Sequence, residues 1–456
     1  MNLIESFFFP LTLAAALLGV PNDVNTARVD GPQDLEKFRH WAKARAIPIQ
    51  TVGVDRGDTD LRPLRSMIGA ARVVALGEPA HGAHEALAFR NRLFQYLVRE
   101  LGFTAIAVES GLPESRRIFD LVTGGAGNIE QIVRESFTWG FGAFQENEEL
   151  VRWIREYNAH IGHRRKVHFY GIDLNLGGQG GFTPTPVALD QALSYLARVD
   201  LPSSRRLRVA FQPYWDRLSN AGSSPFLPTE HDAMSAAVDD LIALLEREQL
   251  AFVAATSEAD YDWAHRTAVV ARQADRVFRA WPTEMSTGEI PPAAWQAAGA
   301  RDAAMADNAR WVLDQEGSSG RVLVFAHNAH VKNAATEGGI WSAFERPPNA
   351  MGQYLRSSLG NDLLIIGMSS AQNGVGFPTA PLDSRSIDAA LTSVGLPRFL
   401  LDLRASRSDT TVTAWLAERR ALRANFTTFL MLSPNSAFDV LFFVDSLTKA
   451  YKNPPA

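Results

Sequence analysis

Four ionisable side chains stand within eight residues of one another in the first quarter of the chain. Glu78, His81, His84 and Glu85 follow residues 73–76, an apolar and β-branched run that predicts a buried strand. Ligands of open α/β sheets bind where a strand gives way to a helix, and titratable groups cluster at functional sites. The loop is therefore predicted to form part of an active site, with Glu85 on the substrate side. In the alternative interpretation, Glu85 caps the next helix and the histidines are surface residues.

Two further predicted strands each end in an acidic residue. Glu109 follows residues 104–108 and Asp173 follows residues 166–172. If these strands are parallel to the first, their carboxyl ends meet at one edge of the sheet. Both carboxylates are then expected near the 78–85 loop, Glu109 beside the reacting groups and Asp173 in contact with substrate.

A pair of histidines follows a fourth apolar run much later in the chain. His327 and His330 come directly after residues 321–325, which predict another buried strand. Either imidazole is suited to donate a hydrogen bond to an oxyanion or to a leaving oxygen. The second pair of histidines is therefore expected to complete the site.

Two arginines lie on predicted helix faces that are otherwise apolar. Arg90 shares a stripe with alanine and leucine residues of the helix predicted over residues 85–100, so it is expected to be buried and to pair with Glu109, unless it extends to water. Arg301 and Asn308 share one face of a later helix and are expected to reach toward the site, unless Arg301 pairs with a neighbouring acid. Trp139 is either a wall of the substrate pocket or a core residue.

These residues suit three kinds of chemistry. In the first, His81 is a general base that activates water, because an imidazole titrates near neutral pH, and Glu78 or Glu109 fixes its tautomer. In the second, the cluster holds zinc or manganese. In the third, the acids bind a cationic or sugar ligand without chemistry. The potential metal ligands are Glu78, His81, His84, Glu85, His327 and His330, although their spacing does not match the HExxH pattern of metalloproteases.

The elements that position these residues have a consistent order. Strand and helix patterns alternate as far as Asp173, helical spacing dominates from about residue 187 to 316, and strand patterns then resume at 321–325, 363–368, 399–402 and 440–444. The predicted fold is therefore α/β, with a central, mostly parallel sheet flanked by helices. The helical insertion over residues 187–316 is expected beside the active-site cleft, where it could act as a lid.

Composition narrows the function classes. The chain has 456 residues, a formal net charge of −5 and no cysteine. The acidic balance argues against a nucleic-acid partner, and the lack of cysteine excludes thiol catalysis, disulfides and cysteine-based metal sites. A small molecule is the expected partner. No stretch is predicted to span a membrane.

The first 33 residues are predicted to form an N-terminal extension. Residues 7–20 are apolar and have the length of a signal-peptide core, although no lysine or arginine precedes them. This pattern favours export to the periplasm, with a cytoplasmic location as the alternative. The α/β domain is predicted to occupy residues 34–456.

The order of these motifs resembles that of the erythromycin esterase family. The resemblance lies in Leu76-Gly77-Glu78, His81-Gly82 and Glu85, followed by Arg90 and Glu109, and it continues in residues 169–173, in Arg301-Asp302 with Met305 and Asn308, and in residues 326–330. It covers most of the chain, roughly residues 34–370.

The resemblance implies hydrolysis of the lactone ester of macrolide antibiotics, without a metal or other cofactor. It also implies that His81 is the catalytic base, that Glu78 and Glu109 support it, and that Arg90, His327 and His330 complete the site. A metal-dependent hydrolase or transferase acting on a cell-surface saccharide is the alternative, and a binding module without catalysis is the third possibility.

Overall fold

The computed structural model describes residues 32–174, 186–219, 227–280, 294–338, 346–373, 381–424 and 428–452. The predicted extension therefore lies almost wholly outside the described residues. Eight strands form one sheet in the order β1-β7-β10-β6-β2-β5-β3-β4, and β8 and β9 form a separate hairpin. The strands are Ile47–Pro48 (β1), Val73–Glu78 (β2), Ala105–Gly111 (β3), His168–Asp173 (β4), Val322–His327 (β5), Leu363–Asn373 (β6), Arg398–Asp402 (β7), Arg420–Ala424 (β8), Thr428–Leu432 (β9) and Val440–Leu447 (β10).

The sheet is parallel from β10 through β6, β2, β5 and β3 to β4, and antiparallel only where β7 pairs with β10 and with β1. The predicted mostly parallel α/β fold is thus confirmed. The β8–β9 hairpin and the two-residue strand β1 are not predicted by the sequence. Such short elements carry too few residues for a periodic signal.

Helices cover both faces of the sheet. Alternation along β2 sends Val73 and Ala75 into one hydrophobic core and Val74 and Leu76 into the other. The helices are Pro32–Arg45 (α1), Leu64–Ile68 (α2), His84–Leu101 (α3), Leu112–Val122 (α4), Ile129–Ser136 (α5), Gln145–Ala159 (α6), Val187–Val199 (α7), Leu201–Ser219 (α8), Pro228–Arg247 (α9), Gln249–Ala255 (α10), Glu258–Ala280 (α11), Ala294–Gln315 (α12), Asn328–Val331 (α13), Met351–Leu359 (α14), Ile387–Thr392 (α15), Thr410–Ala417 (α16) and Pro434–Ala437 (α17).

The described residues between β4 and β5 form only helices, α7 to α12, in the region where the sequence predicted a helical segment. These helices contribute to the core that contains Val73 and Ala75. The last of them, α12, is tied to β4 because the Asn308 amide donates to the Ile172 carbonyl at 2.8 Å. None of the described helices combines the length and apolar character needed to cross a membrane.

The chain returns to the 81–85 loop after β10. The amide of His84 donates to the carbonyl of Thr448 at 2.8 Å, and the amide of Ala450 donates to the carbonyl of Gly82 at the same distance. The Gln145 amide then donates to the Tyr451 carbonyl at 2.9 Å. Residues 448–452 therefore connect the loop that carries His81 to the beginning of α6.

Candidate active site

The carboxyl ends of four parallel strands bring the predicted site residues together. In the register of β2 and β5, Glu78 lies opposite His327. The His81 and His327 rings are 5.0 Å apart between centroids, and Nε2 of His81 lies 4.0 Å from Oε1 of Glu109, at the end of β3. The juxtaposition expected from parallel strands is therefore present.

His81 is held by Glu78 on the short loop after β2. Nδ1 of the ring lies 2.6 Å from Oε1 of Glu78, which sets Nδ1 as the protonated donor because a carboxylate accepts. The loop turns at Gly82, whose φ of 70° is unfavourable for other residues, and a Cβ there would come within 2.8 Å of the Phe144 ring. The Phe141 ring packs against His81 with centroids 5.1 Å apart. The imidazole is thus oriented by a hydrogen bond and by ring packing.

Glu109 owes its direction to a β-bulge. The pairing of β3 with β4 shifts between Val108 and Gly111, so Glu109 lies in the irregular part of the strand. Gly171 pairs with Val108 directly before this irregularity, and a Cβ on Gly171 would collide with the Ser110 carbonyl. Bulges beside active sites re-aim side chains in this way.

Glu109 pairs with Arg301 and not with Arg90, so the predicted Arg90–Glu109 ion pair is wrong. Oε1 of Glu109 accepts from Nη2 of Arg301 at 2.9 Å and lies 3.2 Å from Nε2 of His330. Oε2 accepts from the backbone amide of His327 at 2.8 Å. The carboxylate therefore links α12, β5 and α13 at one point.

Arg90 is buried as expected, but amide and carbonyl oxygens satisfy it. Its guanidinium donates to Oδ1 of Asn91, to Oδ1 of Asn147 at 2.8 Å and to the carbonyl of Glu146. The guanidinium carbon also lies 4.9 Å from the centroid of the Phe325 ring. Burial lowers the pKa of Arg90 to about 10, while the negative charge of Glu78 opposes this shift. Arg90 thus remains a cation beneath the Glu78 carboxylate.

Asp173 and Trp139 hold Arg301 in place. Both Asp173 oxygens accept from Arg301, at 3.0 and 2.6 Å, and Nε1 of Trp139 donates to Oδ2 of the same carboxylate at 3.0 Å. The Trp139 ring also lies 5.3 Å from the Arg301 guanidinium carbon. Asp173 is fully buried beneath these donors, and its expected contact with substrate stays a prediction.

Two other predicted substrate contacts point elsewhere. Asn308 is fully buried and accepts from Arg266, so it does not line the cleft. Glu85 accepts from both the amide and the hydroxyl of Thr448, at 2.6 and 2.8 Å, and it anchors the C-terminal segment. A helix-face pattern shows that a side chain points inward but not which partner it meets there.

The two later histidines differ in charge. Nδ1 of His327 accepts from the Ala329 amide at 3.1 Å, so Nε2 carries the proton and donates to the Pro79 carbonyl at 3.2 Å. Burial, with a further effect of the His81 charge, holds the pKa of His327 well below its usual value. His327 is therefore neutral, and both of its nitrogens are engaged with backbone.

His330 is a cation. Its Nδ1 lies 2.9 Å from Oδ1 of Asp302 and its Nε2 lies 3.2 Å from Glu109. Burial alone would lower the pKa of His330, but the carboxylates of Asp302 and Glu109 outweigh it and raise the pKa to about 9. Nη1 of Arg301 is also 3.1 Å from Nε2 of His330, and in a neutral ring this nitrogen could accept a hydrogen bond from Arg301. With two carboxylates flanking the ring, we favour the imidazolium.

The site is an alternation of opposite charges that are largely buried. Burial raises the pKa of Glu78 against the opposing charge of His81. Burial alone would lower the pKa of His81, but the carboxylates of Glu109 and Glu78 outweigh it and raise the pKa above 6.5. The pKa of Glu109 lies well below its usual range, because the charges of His330, His81 and Arg301 outweigh the effect of burial. These groups titrate as a coupled set.

The metal-binding hypothesis loses part of its ligand set. Nδ1 of His84 lies 2.7 Å from Oε1 of Glu146 and its ring packs on Tyr451, away from His81. Within the described ranges, no group of three or more histidine, aspartate or glutamate side chains is arranged to hold a metal ion.

Sequence reasoning missed Asp302, Glu146 and Asn147. Asp302 orients His330 and also accepts from the Met351 amide at 2.8 Å. The available signal was its position directly after Arg301, which places a second polar group at the same turn of a buried helix. Glu146 and Asn147 gave no comparable signal, because they lie at the polar beginning of α6.

A buried histidine–carboxylate pair at the carboxyl edge of a parallel sheet, flanked by cations, is compatible with a hydrolytic enzyme of the α/β class. A family model described as erythromycin esterase matches residues 98–447, so the similarity continues beyond residue 370, where the resemblance of the motifs ends. The chain belongs to the erythromycin esterase family, as its motifs predicted, and is an esterase-type hydrolase acting on a small molecule.

Individual relatives agree with this assignment. The chain is 28% identical to erythromycin esterase type II of Escherichia coli over 338 residues, which are 73% of this chain and 77% of the relative. It is 31% identical to erythromycin esterase type I of Escherichia coli over 134 residues, 29% of this chain and 31% of that one.

Solved structures share the fold. A Bacillus cereus protein superposes with a TM-score of 0.77 at 23% identity, covering 92% of this chain and 99% of its own. A mutant of erythromycin esterase EreC in its open conformation superposes with a TM-score of 0.69 at 18% identity, covering 89% and 98% respectively.

Proposed function

We propose that this protein hydrolyses a lactone of the macrolide type, using water activated by His81 and no covalent intermediate. The observation that carries this proposal is the 2.6 Å contact between Nδ1 of His81 and Glu78, on a ring whose Nε2 faces Glu109. Family membership supports the ester class, and the names of the Escherichia coli relatives support a macrolide substrate.

In the proposed reaction, Nε2 of neutral His81 takes a proton from water as the oxygen attacks the lactone carbonyl carbon. Glu78 holds the opposite nitrogen protonated and stabilises the imidazolium that forms. The tetrahedral intermediate collapses when the carbon–oxygen bond of the ring breaks, and His81 returns the proton to the leaving alkoxide. The products are an alcohol and a carboxylic acid on one open chain, and the acid then releases its proton to solvent to become a carboxylate.

The positive charges of Arg301 and His330 are proposed to stabilise the developing oxyanion. Asp173, Trp139 and Asp302 hold these two cations, so we assign them positioning roles. His327 is assigned a positioning role as well, since its ring bonds the Pro79 carbonyl and its amide bonds Glu109. Arg90 is assigned an electrostatic role, because its positive charge attracts the Glu78 carboxylate.

The direct test is incubation with macrolides of different ring sizes, followed by mass spectrometry for the addition of one water. We expect His81→Gln to lower the rate by about a hundredfold or more, the usual effect of removing a general base, while leaving the fold intact. His265→Gln, at a partly exposed histidine of α11 that contacts Glu246, is the matched control and should retain activity. Wild-type turnover by a folded His81→Gln enzyme would contradict the assignment.

Chelation tests the metal-dependent alternative. A histidine base already works near neutral pH, so no step above requires a cation. We expect turnover to survive exhaustive dialysis against a chelator and the purified protein to contain less than one equivalent of zinc or manganese. Activity that is lost on chelation and restored by one metal would favour the alternative instead.

A further inference from the structure

A small cavity lies beneath the Glu78–His81 pair, between α3, α6 and the ends of β2, β3 and β5. The volume open to the centre of a water molecule is about 20 Å³. On that measure one water molecule needs about 10–15 Å³, so the cavity has room for a single water. Its walls combine phenyl rings with the polar side chains of Glu78, Arg90, Glu109 and Asn147.

One carboxylate oxygen in this cavity lacks a protein partner. Oε1 of Glu78 is bonded to His81, but Oε2 is buried and has no hydrogen-bond partner among the described residues. Glu78 as a whole is only 4% exposed. A buried carboxylate oxygen without a hydrogen bond destabilises the folded protein by more than a neutral oxygen without one. A ligand that donates a hydrogen bond to Oε2 is therefore strongly favoured.

Arg90 presents a matching donor. A guanidinium has five N–H groups, and the described contacts use one on Nε, two on Nη2 and one on Nη1. The remaining N–H is on Nη1. Glu78 and Arg90 attract each other electrostatically, yet Arg90 directs its described hydrogen bonds to Asn91, Asn147 and Glu146 rather than to Glu78.

We propose that one ordered water molecule occupies this cavity, donating to Oε2 of Glu78 and accepting from Nη1 of Arg90. The water connects the buried cation to the carboxylate that orients His81, which makes Arg90 a positioning residue that acts through the water. Glu109 and Asn147 line the same cavity, which gives the water the two to four polar partners that buried waters have.

The bridge has a chemical consequence for His81. Burial raises the pKa of Glu78, and a hydrogen bond to its ionised form opposes that effect. An ionised Glu78 then stabilises the charged form of His81. The effect on catalysis rests on the proposed esterase function, whereas the water itself does not.

The test is to fill the cavity without removing a polar group. Val108 lines it, so Val108→Ile adds one methylene to the space that the water would occupy, and Val108→Leu adds the same group with a different branch. Val108→Ala enlarges the cavity and is the matched control. High-resolution crystal structures and NMR titration of His81 are the readouts, and neither requires a substrate.

We expect water density within hydrogen-bond distance of both atoms in the wild type and in Val108→Ala. In either filled variant the density should be absent and the His81 pKa should fall by about one unit, the scale of one hydrogen bond to an ionised group. Glu109, His327 and His330 are unchanged in every variant, so they do not account for a difference in the His81 pKa. An empty cavity in the wild type would overturn the proposal, as would an unchanged His81 pKa in a folded variant that has lost the water. Failure of the macrolide test alone would leave the water in place and overturn only the proposed function.

Discussion

At the scale of single residues, the site is governed by which carboxylate each cation meets. Arg301 lies between Asp173 and Glu109, and both contacts are shorter than 3.0 Å. His330 lies between Glu109 and Asp302. Glu109 is therefore shared by two cations and also approaches His81. Such a network holds the reacting groups in fixed positions, at the risk that loss of one member leaves another charge buried and unpaired.

Arg301 is expected to matter for stability as well as activity. Replacement by methionine leaves Asp173 and Glu109 without their cation, and breaking a buried pair in this way typically costs about 3–5 kcal/mol. We expect Arg301→Met to lower the free energy of unfolding by that order in a denaturant titration. Adding Asp173→Asn should recover part of the loss because it removes one of the two stranded charges. Additive losses in the double variant would show that the two side chains are not coupled.

The pH dependence of activity follows from His81. Its pKa is raised above 6.5 by Glu109 and Glu78, so the imidazolium, which is not a base, persists to higher pH than in a free histidine. We expect kcat/KM to rise with pH, with a midpoint above 6.5. Glu109→Gln removes the largest of the raising charges and should move that midpoint to lower pH. A midpoint that does not move in this variant would contradict the assignment of His81 as the titrating base.

At the scale of elements, the loop after β2 is fixed by the chain that crosses it. Residues 448–452 bond the backbone of Gly82 and His84, and Glu85 bonds Thr448 from the first turn of α3. The Phe144 ring closes the other side of Gly82. The loop that carries His81 is short, and its neighbours leave little room for another conformation.

Gly82→Ala tests how closely this loop is constrained. An alanine in the left-handed region costs about 1–2 kcal/mol, and the new methyl would also displace Phe144 and hence the loop that carries His81. Gly102→Ala is the matched control, because Gly102 has the same φ of 70° but no atom within 4 Å of the added methyl. We expect similar stability losses from backbone strain but a fall in kcat only for Gly82→Ala. Equal kinetics in the two variants would show that the loop tolerates the displacement.

At the scale of the whole molecule, a buried acid connects the main sheet to the β8–β9 hairpin. Asp388 is fully buried on α15, where it accepts from the Ser369 hydroxyl of β6 at 2.6 Å and from the Arg423 amide of β8 at 2.7 Å. Burial raises the pKa of Asp388 to about 6. The folded state therefore favours the protonated carboxyl, and stability depends on pH between about 3.8 and 6.

The sign of this dependence follows from linkage. The contribution of Asp388 is fully present below its unfolded pKa, near 3.8, and is lost as pH rises through 6. The difference corresponds to about 3 kcal/mol. We expect Asp388→Asn to gain stability relative to the wild type by that order between pH 4 and pH 8, measured by denaturant titration at each pH. Asp445→Asn, at an exposed position of β10, is the control and should follow the wild-type curve. Parallel curves for Asp388→Asn and wild type would exclude this coupling.

The sequence by itself determined the sheet and the edge at which the site forms. Apolar runs of strand length ending in Glu78, Glu109, Asp173 and His327 became β2 to β5, because the pattern of burial along a strand is local and parallel strands necessarily end at the same edge. The motif order also identified the family. These inferences need no knowledge of which helix packs where.

Only the tertiary structure decided the partners. Arg90 and Arg301 both lie on inward helix faces. The sequence predicted Glu109 as the partner of Arg90, whereas the structure pairs it with Arg301. Glu109 and Arg301 are 192 residues apart, and their contact depends on α12 crossing the ends of β3 and β4. Arg90 instead meets α6, whose first turn supplies amide and carbonyl oxygens. Periodicity fixes the direction of a side chain relative to its own element, whereas the identity of its partner depends on how distant elements pack, which no local pattern encodes.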